Sequence, residues 1–436
     1  MRQTPLVALL GLIFAVHVVV ACVSRDGAIR DDAESYVLIA RNLAAGHGFA
    51  FHPASPPTSW RAPGYPLLLA AVFALTGGSL LAARLVHALL WTLAALAAYR
   101  LARALALDRG RPQNAWAAAA VTGLYPEFVG MTGLLWSENL TISLLLVALL
   151  AVVTAVRQRR SLAGALGAGL LVGLAALTRS TVLALLPAIL ALGWLGRPDR
   201  RCRWLAAAAV LAAGATVGLW TGRNLRVHGV PILVESNLGY NLYVGNCPDT
   251  PVPFAWQRAR RLPADARYQR LIAGRSEAER YRALTQAALA EIRRDPLAAL
   301  RRAAGKTFDF WLPDFFVARN ARVGALGGAV RRIWPAILAM TVATSLLAMG
   351  AALVRAWQTR AEWQTQWIVL AVGLYMLPHL ATYGASRYRL PVMPLLLLLA
   401  APLLAEWWER GVRRPRRKPA TRPAAAIRFP RSHACS

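Results

Sequence analysis

Runs of about 20 apolar residues, each long enough to cross a hydrocarbon core ~30 Å thick, recur along this sequence from one end to the other. Lipid offers backbone groups no water, so only helices and closed barrels span it. The runs are continuous rather than alternating, which speaks against a barrel and predicts an all-α polytopic membrane protein. Composition agrees. Of the 436 residues, 57% are hydrophobic, and the mean hydropathy is +0.42 despite a formal net charge of +30. Nearly all of that charge is arginine in an Ala-rich chain, which reads as composition and argues against nucleic acid as a partner. Cys22, Cys202, Cys247 and Cys435 have neither metal-ligand spacing nor the density of a disulfide framework.

Ten spans are expected, at 5–23, 79–105, 113–130, 137–156, 161–177, 180–196, 203–221, 332–354, 365–383 and 388–409. The short loops test their register. Arg2, then Arg103, Arg109 and Arg111, then Arg157, Arg159 and Arg160, then Arg197, Arg200, Arg201 and Arg203, then Arg355 and Arg360 all fall on one side. With a cytoplasmic amino terminus that side is the cytoplasm. The register holds only if residues 64–77 do not cross. They are short, carry Pro63 and Pro66 at their start, and read as a juxtamembrane or re-entrant helix on the outer face. The organisation is therefore a transmembrane module at 1–221 that includes an outer loop at 24–78. A second outer loop domain of helical character follows at 222–331, then transmembrane helices at 332–409 and a basic cytoplasmic tail at 410–436. The compartment this implies is a bacterial inner membrane, crossed several times, with both termini cytoplasmic.

The first outer loop opens with Asp31, Asp32 and Glu34. Asp31 and Glu34 have the spacing of a capping box. Tyr36, Ile39, Ala40 and Leu43 continue at helical spacing, and Gly46 and Gly48 end the helix. A cap explains one or two acids, not three. The same side of the membrane also collects Arg61, Glu138, Arg179, Arg223, Asn224, Lys306, His379, Arg387, Tyr388 and Arg389. Each alone reads as an interface residue reaching for water. Together, from at least five segments, they describe an outward-facing cavity with carboxylates and guanidinium groups. Arginine grips phosphate bidentately and stabilises charge growing on a phosphate leaving group. A carboxylate within reach of a hydroxyl takes its proton as it attacks. His17 and His87, in mid-span, read as packing residues.

The ordered set resembles the GT-C glycosyltransferases, specifically the polyprenyl-phosphate-sugar-dependent families 39 and 83, which include protein O-mannosyltransferases and the lipid A aminoarabinose transferase. Asp32-Ala-Glu-Ser-Tyr36 with Ala40, Leu43, Gly46 and Gly48 is similar to their first outer loop, and Arg61-Ala-Pro-Gly-Tyr-Pro66 to their basic-Pro-Pro segment. Ser137-Glu138-Asn139, Leu177-Thr178-Arg179 followed by Leu-Leu-Pro187, Arg223-Asn224, Gly239-Tyr240-Asn241-Leu242 with Gly245-Asn246, and Arg387-Tyr388-Arg389-Leu390-Pro391 complete the resemblance, over residues 1–409. Ala33 departs from the adjacent Asp-Glu of many members, which leaves Asp31 and Glu34 as candidates to assist.

The resemblance implies an inverting transfer of one monosaccharide from a polyprenyl-phosphate donor to a lipid, polysaccharide or protein acceptor. Asp32 would be the general base, with Glu138 positioning the acceptor. Arg61, Arg179, Lys306, Arg387 and Arg389 would hold the phosphate, Tyr240 and Tyr388 would line the sugar site, and Arg223 and His379 would bind substrate or phosphate. No cofactor is required for a donor with one phosphate; if a divalent ion is used, Asp32 and Glu138 are its candidate ligands. Two other readings compete. A lipid-linked oligosaccharide transferase or ligase would share the fold. A transporter or flippase would share the charged cavity, but the sequence has no repeated half.

Overall fold

The computed structural model describes residues 4–158, 161–196, 199–251, 253–254 and 256–412, and among them every regular element is a helix. Of the expected tail at 410–436, the first three residues end the last helix and 413–436 lie outside the described residues, as do Arg2, Arg159, Arg160 and Arg197 of the basic loops. The first half holds α1 (Thr4–Val23), α2 (Asp32–Ala44), α3 (Gly64–Thr76), α4 (Leu80–Ala104), α5 (Pro112–Gly123), α6 (Pro126–Met131), α7 (Glu138–Arg157), α8 (Leu162–Ala176), α9 (Leu186–Ala191) and α10 (Arg200–His228). The expected outer domain holds α11 (Asn237–Asn246), α12 (Trp256–Arg261), α13 (Ala266–Ile272), α14 (Glu277–Arg294), α15 (Pro296–Trp311), α16 (Phe316–Arg322) and α17 (Gly328–Arg332). Last come α18 (Trp334–Gln358), α19 (Trp363–Ala381) and α20 (Met393–Val412).

Six of these segments are long and apolar enough to cross a membrane: α1, α4, α7, α10, α18 and the run Ser386–Trp407 that enters α20. Three of the other four expected spans are shorter or interrupted, and the fourth is an unbroken helix of 19 residues that is less apolar than these six. The segment 113–130 is split into α5 and α6, because Pro126 has no N–H to continue a helix and starts a new one. The segment 161–177 is α8, of 15 residues. The segment 180–196 opens as a 3₁₀ turn, Ser180–Leu185, before α9. The fourth is α19, with Pro378 near its end. The residues expected as a juxtamembrane helix form α3, 13 residues long.

Small residues set the packing. Gly169 and Gly173 on α8 face Ala209 and Thr216 of α10 so closely that a Cβ on either would collide. Without a hydrophobic drive between helices in lipid, such close backbone approach is what holds neighbours together. Deeper in, His17 contacts Thr132 and Gly123, while His87 contacts Tyr65 and Thr132. Both are buried and bonded, as expected of packing residues.

Three devices position the polar end of the bundle. The Gly64 amide donates to Leu177 O at 2.8 Å, and a Cβ at Gly64 would strike Thr178, so the loop before α3 lies against the segment after α8. Helices α11 and α14 form a small cap with its own core of Tyr243, Val244, Leu284 and Ala288. Glu277, at the start of α14, accepts from Thr58 Oγ1 (2.6 Å), Ser59 N (2.8 Å) and Ser236 Oγ (2.7 Å), which clamps the cap to that same loop. A capping box between Ser276 and Glu279 starts α14 beside this clamp.

Candidate active site

Asp32 is the first residue of α2, and its carboxylate is held on both oxygens. Arg61 Nη2 donates to Oδ1 at 2.6 Å, and Arg387 Nη1 donates to Oδ2 at 3.1 Å. Arg61 is fixed in turn by a bond from its Nε to Ser35 Oγ (2.7 Å) and by the Tyr36 ring beneath it. Burial pushes the Asp32 carboxyl up, but the two guanidinium groups outweigh it and hold it well below the usual range, at about 2.

Glu138 opens α7 with its side chain 1% exposed. Its Oε1 accepts from Arg179 Nη1 at 2.8 Å and lies 3.3 Å from Arg387 Nε. Arg387 therefore bridges the two carboxylates. Its guanidinium lies against the rings of Trp136, Phe316 and Tyr388, and Arg179 lies over Tyr388 from another direction. The planar, weakly hydrated guanidinium tolerates such a site far better than an ammonium would. The Tyr388 hydroxyl donates to Tyr383 at 2.6 Å, and its ring stacks on His379 at 4.8 Å.

Two cavities meet at this cluster. One, of about 460 Å³, is lined by Arg61, Arg179, Arg387, Glu235, Tyr240 and His379 among others, with Leu183, Leu233 and Leu238 on its apolar side. The other, of about 320 Å³, is lined by Asp31, Trp136, Phe315, Phe316 and Arg319. Asp32, Tyr240, Tyr383, Arg387 and Tyr388 line both. Both volumes are of the order that holds a sugar-sized group, with a few polar side chains set in aromatic walls.

The structure thus brings together Asp32, Arg61, Glu138, Arg179, Tyr240, His379, Arg387 and Tyr388. It separates five others. The Asp31 side chain makes no capping bond; it is half exposed and pairs with Arg319 at 3.1 Å, on a backbone with φ 56°. Asp31 thus stands on the rim of the smaller cavity in the left-handed region, a conformation that costs a non-glycine residue about 1–2 kcal/mol. Glu34, expected as its capping partner and as an assisting acid, is exposed at the start of α2 and lines neither cavity. Arg223 braces the 58–59 loop through Thr58 O and Ser59 Oγ. Lys306 is buried with its Nζ donating to Asn246 Oδ1 (3.2 Å) and Leu380 O (3.0 Å), so it ties α15 to the end of α19. Burial pushes this amine down to about 7, with Arg302 adding to the shift. Arg389, 0% exposed, donates to Phe310 O (2.6 Å), Leu312 O (2.9 Å) and Asp314 Oδ1 (2.6 Å). None of these three cations lines either cavity.

Other residues enter without having been expected. Glu235 lies in the larger cavity, accepting from Ser180 Oγ at 2.8 Å and from the Ala62 amide at 3.3 Å. Ser137 accepts from the Tyr36 hydroxyl at 3.1 Å. Arg319 and Phe316 come from α16, far along the chain. Asp32 and Glu138, the candidate ligands for a divalent ion, face each other across the arginines. Their facing oxygens are taken by three guanidinium groups, and no group of three or more His, Cys, Asp or Glu among the described residues could hold an ion.

This all-helical bundle, with loops and helix starts converging on one carboxylate–guanidinium cluster, has the GT-C fold, which it shares with the solved structures it is similar to. Residues 59–221, just over a third of the chain, match the family described as dolichyl-phosphate-mannose-protein mannosyltransferase. That segment includes Arg61, Glu138 and Arg179 but neither Asp32 nor Arg387. Among solved structures, the Archaeoglobus fulgidus oligosaccharyltransferase in the apo form is 15% identical at a TM-score of 0.51, over 92% of this chain and 51% of its own. The archaeal oligosaccharyltransferase AglB from Archaeoglobus fulgidus, in complex with an inhibitory peptide and a dolichol-phosphate, gives 14%, 0.50, 92% and 51%. ArnT from Cupriavidus metallidurans in the apo state gives 17%, 0.43, 92% and 78%. The chain spans about half the length of the oligosaccharyltransferase. No curated protein matches it.

Proposed function

We propose that this chain transfers a single monosaccharide from a polyprenyl-phosphate donor to an acceptor hydroxyl, with inversion, at the outer face of a bacterial inner membrane. The acceptor oxygen attacks the anomeric carbon as the bond to the phosphate oxygen breaks. Asp32 takes the hydroxyl proton, and the electron pair leaves with polyprenyl phosphate. The donor belongs in the larger cavity, where Arg61, Arg179 and Arg387 surround the place a phosphate would occupy and leucines offer a wall to the polyprenyl chain. The acceptor belongs in the smaller one, between Trp136, Phe315 and Phe316. Tyr240 and Tyr388, facing both, flank the sugar. Glu138 holds Arg179 and Arg387 in place. Charge on the leaving phosphate is met by guanidinium groups, and the reaction as proposed routes no step through a metal ion.

The position of Asp32 carries this reading: among the described residues it is the one carboxylate that faces both cavities, with its two oxygens on arginines from different segments, whereas Asp31 and Glu235 each face one cavity. A carboxylate so held is a poor base until a phosphate competes for its arginines, which couples base activation to donor binding. The size of the larger cavity favours one sugar over an oligosaccharide. Purified protein in detergent, offered a panel of polyprenyl-phosphate monosaccharides with membrane lipids as acceptors, is expected to release free polyprenyl phosphate from one of them. Asp32→Asn, inserted and folded normally, is expected to release about 1,000-fold less. Full activity in that variant overturns the assignment of the base; no release from any donor overturns the reaction.

A further inference from the structure

We propose that the groove at the other end of the bundle is a binding site for an anionic glycerophospholipid of the surrounding membrane, distinct from both cavities of the candidate active site. It is a cavity of about 1,450 Å³ enclosed by the start of α1, the end of α4, the start of α5, the second half of α7 and the start of α8. Glu138 opens α7, and Thr154 in the groove lies sixteen residues further on, about 24 Å along the helix axis. The groove shares no residue with either cavity.

Its walls are graded. Leu6, Leu10, Leu96, Val147 and Leu150 give it an apolar length, while Arg100 and Arg103 stand at its polar end with Tyr99 and Trp116 beside them. Three of the enclosing helices, α1, α4 and α7, are long and apolar enough to span, so the apolar length runs where acyl chains lie and the arginines sit where head groups lie. Aromatic residues with a polar tip favour that same depth. The volume exceeds that of a drug-sized ligand and suits a lipid with chains. The charge is unbalanced in favour of an anion. Arg100 is exposed and has no ion-pair partner among the described residues, and Arg103, its side chain 61% exposed, has only Asp108 at the long distance of 3.8 Å; Asp108 also lines the groove, so two guanidinium groups there face one carboxylate. Arginine forks match a phosphate oxygen pair, which selects a phosphate-bearing head group without a compensating cation. A concave cleft among five helices does not suit a second protein, which needs a flatter and larger contact.

The test uses the whole protein in detergent micelles, titrated with phosphatidylglycerol and, separately, phosphatidylcholine, and read by native mass spectrometry and by melting temperature. Phosphatidylglycerol is expected to stay bound and raise the melting temperature, and phosphatidylcholine to do neither. In the double variant Arg100→Gln with Arg103→Gln, the phosphatidylglycerol affinity is expected to fall on the order of 30-fold, about a factor of five for each lost charge, while the lipid-free melting temperature stays the same. Equal binding of the two lipids overturns the proposal, as does an unchanged affinity in the double variant. Decaprenyl phosphate is the third arm. If it outcompetes phosphatidylglycerol and loses affinity in the double variant, the groove is a polyprenyl-phosphate site and the commitment to a glycerophospholipid is wrong.

Discussion

Arg387 and Arg389 stand two residues apart in one 3₁₀ segment, and they do opposite things. Arg387 bridges Asp32 and Glu138 in the wall between two cavities, while Arg389 closes a buried network with Asp314 and two backbone carbonyls. Both are arginines paired with carboxylates, so residue type does not separate them. What separates them is direction. With about three residues per turn, side chains two apart point about 120° from each other. One direction meets the cavities and the other meets the end of α15. A charge that faces a cavity is free to exchange partners with a ligand, whereas a charge sealed in the core holds the fold.

Exchanging each arginine for methionine separates the two roles. Arg387→Met is expected to lower transfer by about 100-fold or more, since it removes a donor to the leaving phosphate, and to shift the melting temperature little because Asp32 lines both cavities and keeps Arg61 while the buried Glu138 keeps Arg179. Arg389→Met is expected to do the reverse first: it strands Asp314 in the core at a cost of about 3–5 kcal/mol, read as a lower yield of folded protein and a lower melting temperature. If both variants fold equally well and lose equal activity, the distinction fails.

The same distinction explains what the sequence could and could not disclose. The hydrophobic runs, the convergence of Asp32, Arg61, Glu138, Arg179 and Arg387, and the helical outer domain were legible, because each depends on period, polarity or order along the chain. The azimuth of a side chain was not. Arg223, Lys306 and Arg389 lie in segments that run up to the cluster, yet turn toward loops and carbonyls. Their acceptors, the backbone oxygens of Thr58, Leu380 and Phe310, leave no mark in sequence. Asp31 and Glu34 have capping-box spacing, but the positive φ at Asp31 sends its carboxylate to Arg319 instead. Glu235 could have been noticed as the acid just before the Gly-Tyr-Asn motif. Arg319 could not, because nothing local ties α16 to α2.

Lys306 and Arg179 sharpen the comparison at the level of binding. Arg179→Met is expected to raise the donor KM about tenfold, since it loses a charge-assisted contact to phosphate. Lys306→Met removes an amine that touches Asn246 and Leu380 rather than a cavity, and the donor KM is expected to stay within about twofold. A large KM effect at Lys306 would place it in the donor site and undo the separation drawn here.

Acidity probes the cavity-facing side alone. Arg61 and Arg387 hold the Asp32 carboxyl at about 2 against the upward push of burial, well below the value of about 3.9 in an unfolded chain. The unfolded state therefore binds this proton first as pH falls. The stability that Asp32 contributes is complete above about pH 5 and is lost progressively from about pH 4 toward 2. Wild type is expected to lose melting temperature more steeply than Asp32→Asn between pH 5 and 3. Parallel losses would mean that the two arginines do not hold the carboxylate in solution as they do in the structure.

The smallest expected effect is the sharpest control. Glu34 lies two residues from Asp32 on the same helix, carries the same charge, and is exposed. On an α-helix that spacing turns a side chain by about 200°, away from the cavities. Glu34→Gln is expected to leave transfer unchanged within about twofold and stability within about 0.5 kcal/mol. Measured beside Asp32→Asn in one preparation, it asks whether activity follows the number of carboxylates at the start of α2 or the direction of one of them. A loss at Glu34 approaching that at Asp32 would return the assisting acid to the first outer loop.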